Sequence, residues 1–445
     1  MVTTEQMRAI DAAAADSVEV LIGRAGSAVA HTARRMLGGT YGRRIVVVAG
    51  KGNNGADGRA AAALLEQWGA RATVFAAADA PPSLPACDLM ADAAYGTGLS
   101  GPYDAPTPPP GTPVLAVDIP SGYNGDTGQR QGRPQTATVT VTFAAPTPGL
   151  LFPPCRMGAG SIEVADIGLP VGESDIGWVT DDDIVTWVPR RPADHHKWRA
   201  AVAVIGGTSG MQGAARLASR AAMRSGAGYV RWLAIDGQPD PGSAVEVVGQ
   251  HFDTASFRAD ADRYAAVVMG PGLGTSESAA AVLADVVAAD APLVLDADAL
   301  TLAAGLDRSL INARSGPTVL TPHDGEFARL AGAPVGEDRL TAARSLAVEY
   351  RATVLLKGPT TVVADPDGRA RLVTSGSQAL ATAGTGDVLA GVVGAFLARG
   401  ATPLDAAAGA AHVHGRAGSA AGSTSMVAGD LPDRVGAVLT RWGLI

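Results

Sequence analysis

The chain runs to 445 residues, and what it lacks narrows what it can be. Its two cysteines, Cys87 and Cys155, are too few for a disulfide framework. Neither has the CxxC neighbour of a zinc site, and a reduced cytoplasmic setting fits. No uncharged apolar run reaches ~18 residues, so no membrane span is expected. The opening MVTTEQMRAIDAAAAD has no apolar core of the kind a signal peptide needs. There is no basic run either, and 35 basic against 43 acidic residues give a net charge of −8. Such a chain has no electrostatic footprint for nucleic acid and is not drawn to an anionic membrane surface. Lysine is scarcest of all: Lys51, Lys197 and Lys357 are the only three. Arginine supplies the generic surface charge, as a GC-rich genome favours, and cannot replace a compact point charge at a tight site. The remaining lysines therefore mark places worth locating.

What is present is apolar and layered. Hydrophobic residues make up 47% and charged ones 18%, enough for large cores and two or three domains. Thr3 and Gln6 stand at capping-box spacing before an alanine-rich helix. The all-apolar run Ile45-Val46-Val47-Val48 precedes a glycine-rich loop and a helix expected from about Gly58 to Trp68. Further strand-like runs lie at 72–76, 89–91 and 114–117, and continuous apolar strands alternating with helices predict a parallel sheet covered on both faces. Short strands and proline-rich turns from Thr136 to Val164 read as the closing edge of that domain. The stretch Trp187-Val188-Pro189-Arg190-Arg191-Pro192 reads as a linker. After it come a second strand, glycine loop and helix, then strands near 265–269, 293–295, 318–320, 354–356 and 361–364, and a helical tail from Asp387. The expectation is two α/β domains, 1–190 and 191–445. Two doubly wound layers need no solenoid repeat, and none is seen.

The first loop, Ala49-Gly50-Lys51-Gly52-Asn53-Asn54-Gly55-Ala56-Asp57-Gly58, lets a ligand approach the backbone and ends at a helix N-terminus that favours phosphate. Its asparagines and aspartate suit ribose hydroxyls, an amide or a cation; a tight turn with no ligand is the plain alternative. Asp92 and Asp118 each end an apolar strand, where open parallel sheets bind ligands, although either alone could cap a helix. Oxygen donors from Asn54, Asp92 and Ser121 suit a hard cation, and the absence of nearby cysteine or histidine argues against zinc or copper.

GKGNNGADG, DAAYGTGLSGP and VDIPSGYNGDTG together resemble, in order, the signature segments of the NAD(P)H-hydrate epimerase (YjeF N-terminal) family. The resemblance implies a Rossmann-like sheet. It also implies that Asn53, Asn54, Gly55, Ala56 and Asp57, with Gly96, Thr97, Gly98, Leu99, Ser100, Gly101 and Pro102, bind the hydrated dinucleotide. Asp118 would bind it too and is the acid/base candidate. Asn54, Asp92 and Ser121 would hold potassium. Ala56 departs from the family's more usual glycine, which costs something if that backbone needs φ > 0.

In the second half, Thr382-Ala383-Gly384-Thr385-Gly386-Asp387 aims backbone N–H groups at an anion from a helix start. Asp387 behind it can take a proton from a hydroxyl attacking phosphorus. Three other strand ends carry Lys357-Gly358-Pro359-Thr360-Thr361, Thr321-Pro322-His323-Asp324-Gly325-Glu326 and Gly270-Pro271-Gly272-Leu273-Gly274. Lys357 can reach phosphates. With His196-Lys197 and GGTSGMQGAA these segments resemble the ADP/ATP-dependent NAD(P)H-hydrate dehydratase (YjeF C-terminal) family, which implies a ribokinase-like fold. Lys357, Gly358, Pro359, Thr360, Thr361 and Gly386 would then contact the adenine nucleotide. Gly384, Thr385 and Gly386 would cradle the moving phosphoryl group. Ala214, Gly272 or Gly274, His323 and Asp387 would contact the hydrated dinucleotide. Trp198 replaces a glycine usual after His-Lys.

Other polar groups are given lesser parts. Asp296 and Asp298 could order the site or merely cap, Glu326 could reach a magnesium–phosphate complex, and His412 and His414 are taken as surface or packing residues. The whole reads as a bifunctional repair enzyme. One domain interconverts the R and S epimers of hydrated NADH and NADPH, and the other dehydrates the S form with ADP, potassium and magnesium serving as ions. A cytoplasmic homo-oligomer is expected. The alternative is a ribokinase-like small-molecule kinase fused to a noncatalytic nucleotide-binding regulatory module.

Overall fold

The computed structural model describes all residues except 193, 195, 241, 243 and 420–424. The chain forms two compact units, Met1–Ser174 and Asp175–Ile445. No helix among the described residues is long and apolar enough to cross a membrane.

The first unit is built on a six-stranded parallel sheet. Its spatial order is Arg71–Ala76, Arg44–Ala49, Leu89–Ala93, Val114–Val117, Val139–Phe143 and Ser161–Ala165. The inner strands are mostly apolar and almost wholly buried because both their faces are covered. The two edge strands are partly exposed and mix in polar residues. Helices Val18–Leu37 and Asn53–Gln67 bury Ala25, Val29, Ala61 and Leu65 against Ile45, Val47, Leu89 and Leu115. The two helices meet through small residues: a Cβ on Gly26 would fall 2.5 Å from the Ala60 methyl. From Arg44–Ala49 the chain first winds outward to Arg71–Ala76, then crosses back to pair Leu89–Ala93 on the other side. That reversal opens a crevice at the carboxyl ends of the central strands.

The helix after the first loop begins at Asn53, not near Gly58. Glycine inside a helix costs about 1 kcal/mol relative to alanine, which is why the sequence reads as loop. Here the glycines are needed by their neighbours. A Cβ on Gly55 would sit 2.0 Å from the Gly50 carbonyl oxygen, and one on Gly58 2.5 Å from the Ala93 methyl. Ala56 lies within this helix and is not among the positive-φ residues, so its methyl carries no backbone strain.

The second unit has a ten-stranded sheet. The order is Val248–His251, Tyr229–Ala234, Ala201–Ile205, Ala266–Met269, Leu293–Leu295, Thr318–Leu320, Thr353–Leu356, Thr361–Ala364, Ala370–Val373 and Ile176–Trp178. The strands are parallel up to Thr353–Leu356; the next two join as antiparallel neighbours. Helices Gln212–Arg224, Thr385–Ala398, Pro403–Ser419 and Leu431–Arg441 share one core with Val202, Val204, Val268, Val294, Val319 and Leu355. The direction of winding again reverses at the first strand, Ala201–Ile205, which pairs with Tyr229–Ala234 on one side and Ala266–Met269 on the other.

This unit starts before the boundary expected at residue 190. Ile176–Trp178 pairs in parallel with Ala370–Val373, and the helix Asp181–Trp187 buries Ile184 completely in the second core. Asp181 also binds Arg416 and His412 of helix Pro403–Ser419. The strand is three residues long, too short for a periodic signal, so the linker-like prolines that follow it dominate the sequence. A fragment beginning at Asp175 is therefore expected to melt well above one beginning at 191. Emptying the Ile184 site alone costs on the order of 2–5 kcal/mol. Equal melting temperatures would show that residues 175–190 add nothing to this fold.

Candidate active sites

In the first unit the crevice holds Asn54, Gly96 and Asp118. The Asn54 amide, oriented by its neighbours, donates to the Val117 carbonyl at 3.0 Å and accepts from Gly96 N–H at 3.2 Å. Asp118 follows strand Val114–Val117 with φ of 70°, a left-handed conformation that non-glycine residues rarely adopt. That turn aims its carboxylate back at the loop after Leu89–Ala93, where Oδ2 accepts from Thr97 N–H at 2.9 Å. A Cβ on Gly96 would lie 2.4 Å from the same oxygen, so a side chain there would displace the carboxylate. Thr142, on the next strand, donates to Asp118 Oδ1 at 3.4 Å. Burial raises the Asp118 carboxyl, against these hydrogen bonds. Gly98, Leu99, Ser100, Gly101 and Pro102 continue the same loop.

Asp92 and Ser121 meet directly beneath. Asp92 is fully buried; its oxygens accept from Ser121 N–H at 2.9 Å and from the Ser121 hydroxyl at 2.6 Å. Ser121 Oγ also accepts from Tyr95 N–H at 2.9 Å. Consecutive amides of Tyr95 and Gly96 thus tie Ser121 and Asn54 together. Among the described residues no lysine, arginine or histidine pairs with Asp92, and burial raises its carboxyl. One carboxylate, one hydroxyl and one amide carbonyl make a hard, singly charged donor set, which fits potassium better than a transition metal. Among the described residues no three His, Cys, Asp or Glu side chains come together as a metal site.

In the second unit the crevice is lined by four loops. A Cβ on Gly206 would fall 2.2 Å from the Pro271 carbonyl oxygen, and Gly207 N–H donates to that oxygen at 2.9 Å. A Cβ on Gly272 would sit 3.2 Å from the Ala214 methyl, so these two expected contacts are neighbours. Gly274 N–H is fixed by Asp298 at 2.8 Å. Gly384, at φ of 91°, turns the chain into helix Thr385–Ala398, whose third residue is Asp387. Lys357 reaches this helix start: a Cβ on Gly386 would lie 3.7 Å from its Nζ.

Two buried carboxylates hold that lysine. Lys357 Nζ lies 2.9 Å from Asp296 and 3.6 Å from Glu326. Burial pulls the ammonium down, but the two carboxylates outweigh it and leave it raised. Asp387 is pushed up to about 7 by burial and by Asp296, with Lys357 opposing and Asp298 and Glu326 adding to the rise. Glu326 also accepts from His323 N–H at 2.9 Å, while His323 Nδ1 accepts from Gly325 N–H at 2.9 Å. His323 is therefore a helix cap whose ring is exposed, with Nε2 3.5 Å from Glu326 Oε1. Arg339 donates to the Lys357 carbonyl at 2.8 Å and holds the Gly358–Pro359 turn, beyond which the Thr361 hydroxyl bonds Gly358.

Two residues carry more than the parts expected of them. Asp296 and Glu326, given lesser parts, are the anchors of Lys357. His412 and His414 are both buried, because helix Pro403–Ser419 is covered on nearly every side. His414 hydrogen-bonds the Thr385 backbone and is pulled down to about 4 by burial, so it is neutral. Trp198 packs at a tilt against Tyr229, ring centres 4.6 Å apart, with the Arg263 guanidinium 3.9 Å over its ring. Thr142 and Arg339 carried no motif: Thr142 is a polar residue near the end of strand Val139–Phe143, and Arg339 opens helix Arg339–Tyr350.

These two crevices sit in folds with known relatives. Residues 202–441 match the family model of NAD(P)H-hydrate dehydratase, and residues 18–100 and 78–149 match that of the YjeF-related protein N-terminus. The ADP/ATP-dependent NAD(P)H-hydrate dehydratase of Bacillus subtilis, co-crystallised with ATP/Mg2+, is 32% identical with a TM-score of 0.54, covering 61% of this chain and all of its own. A ribokinase-like superfamily protein of Enterococcus faecalis gives 26% and 0.53, over 61% of this chain and 97% of its own. The protein is thus a fusion of two α/β enzyme units, the second ribokinase-like. Bifunctional NAD(P)H-hydrate repair enzymes of Mycobacterium tuberculosis and Moorella thermoacetica are 39% and 34% identical, over 83% and 97% of this chain and 82% and 95% of theirs. The chain belongs to the family of bifunctional NAD(P)H-hydrate repair enzymes.

Replacing Lys357 by methionine should strand Asp296 and Glu326. Breaking a buried pair costs on the order of 3–5 kcal/mol, so the denaturation midpoint should fall. The deficit should shrink as pH drops and the stranded carboxylates take up protons. A midpoint unchanged at pH 8 would mean the lysine is not the partner that offsets them.

Proposed function

We propose that the first unit epimerises hydrated NADH and NADPH at the ring hydroxyl and that the second dehydrates the S epimer with ADP. The reading rests most on one arrangement: Asp387, raised to near neutrality, beside the Lys357 ammonium at the amide-lined start of a helix. A carboxyl with pKa near the working pH is suited to take a proton and return it. Hydroxide is a poor leaving group, and a phosphoryl group placed on it makes a good one. Asp387 takes the proton of the ring hydroxyl as that oxygen attacks phosphorus. The Gly384, Thr385 and Gly386 amides and Lys357 stabilise charge on the moving phosphoryl group. Phosphate then departs as the ring nitrogen donates its lone pair, and the neighbouring ring carbon loses a proton to restore the ring double bond. Lys357, Gly358, Pro359, Thr360 and Thr361 hold the nucleotide, and magnesium accompanies its phosphates. Ala214, Gly272, Gly274 and His323 face the dinucleotide.

In the first unit Asn53 to Asp57 and Gly96 to Pro102 bind the same substrate, with Asp118 as the acid/base group. Asn54, Asp92 and Ser121 would hold potassium, whose charge offsets the buried Asp92. A kinase would need none of this, and the intact first site sets the kinase-plus-regulator reading aside. Work on soluble dinucleotides supports a cytoplasmic setting. Incubation with purified hydrated NADH and ADP should restore the absorbance of reduced nicotinamide; no recovery would refute the dehydratase reading.

Asp118→Asn should stop epimerisation, since loss of a general acid–base group costs ~10²–10⁴-fold, yet leave dehydration of pure S epimer intact. Mixed epimers would then convert only in part; complete conversion at the wild-type rate removes Asp118 from the mechanism.

Asp387→Ala should cut dehydration by roughly 10²–10⁴-fold while ADP binds as well or better, because a repelling carboxylate is gone. In the wild type the carboxylate form is the base, so kcat should rise with pH through about 7 and level off above it. A flat profile between pH 6 and 8 with chemistry rate-limiting contradicts that role.

A further inference from the structure

A second carboxyl in the first unit has no structural employment. Asp57 lies one turn after Asn54 on helix Asn53–Gln67 and is 7% exposed. Residues three apart share a helix face, and Asn54 on that face already reaches Val117 and Gly96 at the crevice. Yet no hydrogen bond to the Asp57 carboxyl and no cation beside it occurs among the described residues. The groups whose charge falls on it are Asp118 and, from the helix Thr4–Ala12, Asp11. Burial and these two carboxylates push it up to about 8. A nearly buried carboxyl without a donor is costly to keep charged, and a second carboxylate whose charge falls on it raises that cost. A fold gains nothing from this pairing, but a proton-transfer site does.

We propose that Asp57 is a second catalytic residue of the epimerase site, working as the partner of Asp118 in a pair that carries one proton. This inference rests on the epimerase reading above. The substrate hydroxyl sits on the carbon bonded to the ring nitrogen. The ionised member takes the hydroxyl proton, the carbon–oxygen bond becomes a carbonyl, and the carbon–nitrogen bond breaks with its electron pair going to nitrogen. The protonated member supplies the proton that nitrogen then needs. Rotation about the neighbouring carbon–carbon bond presents the other face of the aldehyde. Nitrogen attacks it, its proton returns to the member that gave one, and the new alkoxide recovers a proton from the other. Each carboxyl ends as it began, and no oxidant or further reactant is consumed.

The test uses the full chain, hydrated NADH of one epimer, and direct measurement of the epimer ratio. Asp57→Ala and the shape-preserving Asp57→Asn should each lower the epimerisation kcat at least ~10²-fold, with KM changed no more than a few-fold. Added formate, a small carboxylate able to fill the gap, should restore part of the rate in Asp57→Ala and none in wild type or Asp57→Asn. Wild-type kcat in Asp57→Asn would overturn the pair. So would a defect carried by KM alone, or one in Asp57→Ala that formate leaves untouched while Asp57→Asn remains active. If the wild-type chain itself leaves the epimers unchanged, the epimerase reading fails first.

Discussion

Both sites depend on one constraint: backbone packed against backbone where a parallel sheet reverses its direction of winding. At Gly50, Gly55, Gly206 and Gly270 an added Cβ would come within 1.8–2.2 Å of a carbonyl oxygen. No side chain can be accommodated there without moving a strand end. The contact draws the loops after adjacent strands together, and the crevice it leaves is lined by amides and by whatever polar residue ends each strand. Asn54, Gly96 and Asp118 converge for this reason in the first unit, and Gly272, Ala214 and Asp298 in the second.

The same packing makes charge expensive, and the two units handle it differently. The second compensates: Lys357 offsets Asp296 and Glu326, and Asp387 stands beside this set, tuned by both signs. The first leaves its carboxyls uncompensated. Asp57, Asp92 and Asp118 are all raised by burial, and none has a basic side chain as partner among the described residues. A cation on Asp92 and Ser121, and a shared proton on the other two, would supply what the protein withholds. The contrast matches the chemistry proposed: phosphoryl transfer needs fixed positive charge, whereas moving a proton between two faces of a ring needs acids poised near neutrality.

The sequence by itself determined the two-layer α/β class, most inner strands and the loops that matter. Continuous apolar runs fit only strands covered on both faces, and glycine clusters after them are intelligible only as close approaches. The family resemblance added roles that spacing alone leaves open. It also marked Lys357, because lysine is rare here and that one follows a buried strand.

Tertiary structure alone decided the rest. The first unit ends before Asp175 because three residues, Ile176–Trp178, find an edge to pair with 194 residues later in register with Ala370–Leu372, and no local pattern encodes a partner that distant. The Asn53 helix start was hidden because glycine reads as loop until the atoms it must avoid are known. Whether His412 and His414 lie on a surface or pack inside was open in the sequence, since burial of a helix on all sides depends on what packs around it. Asp57 and Asp118 are 61 positions apart, and their mutual charge exists only because the fold brings a helix face to a strand end.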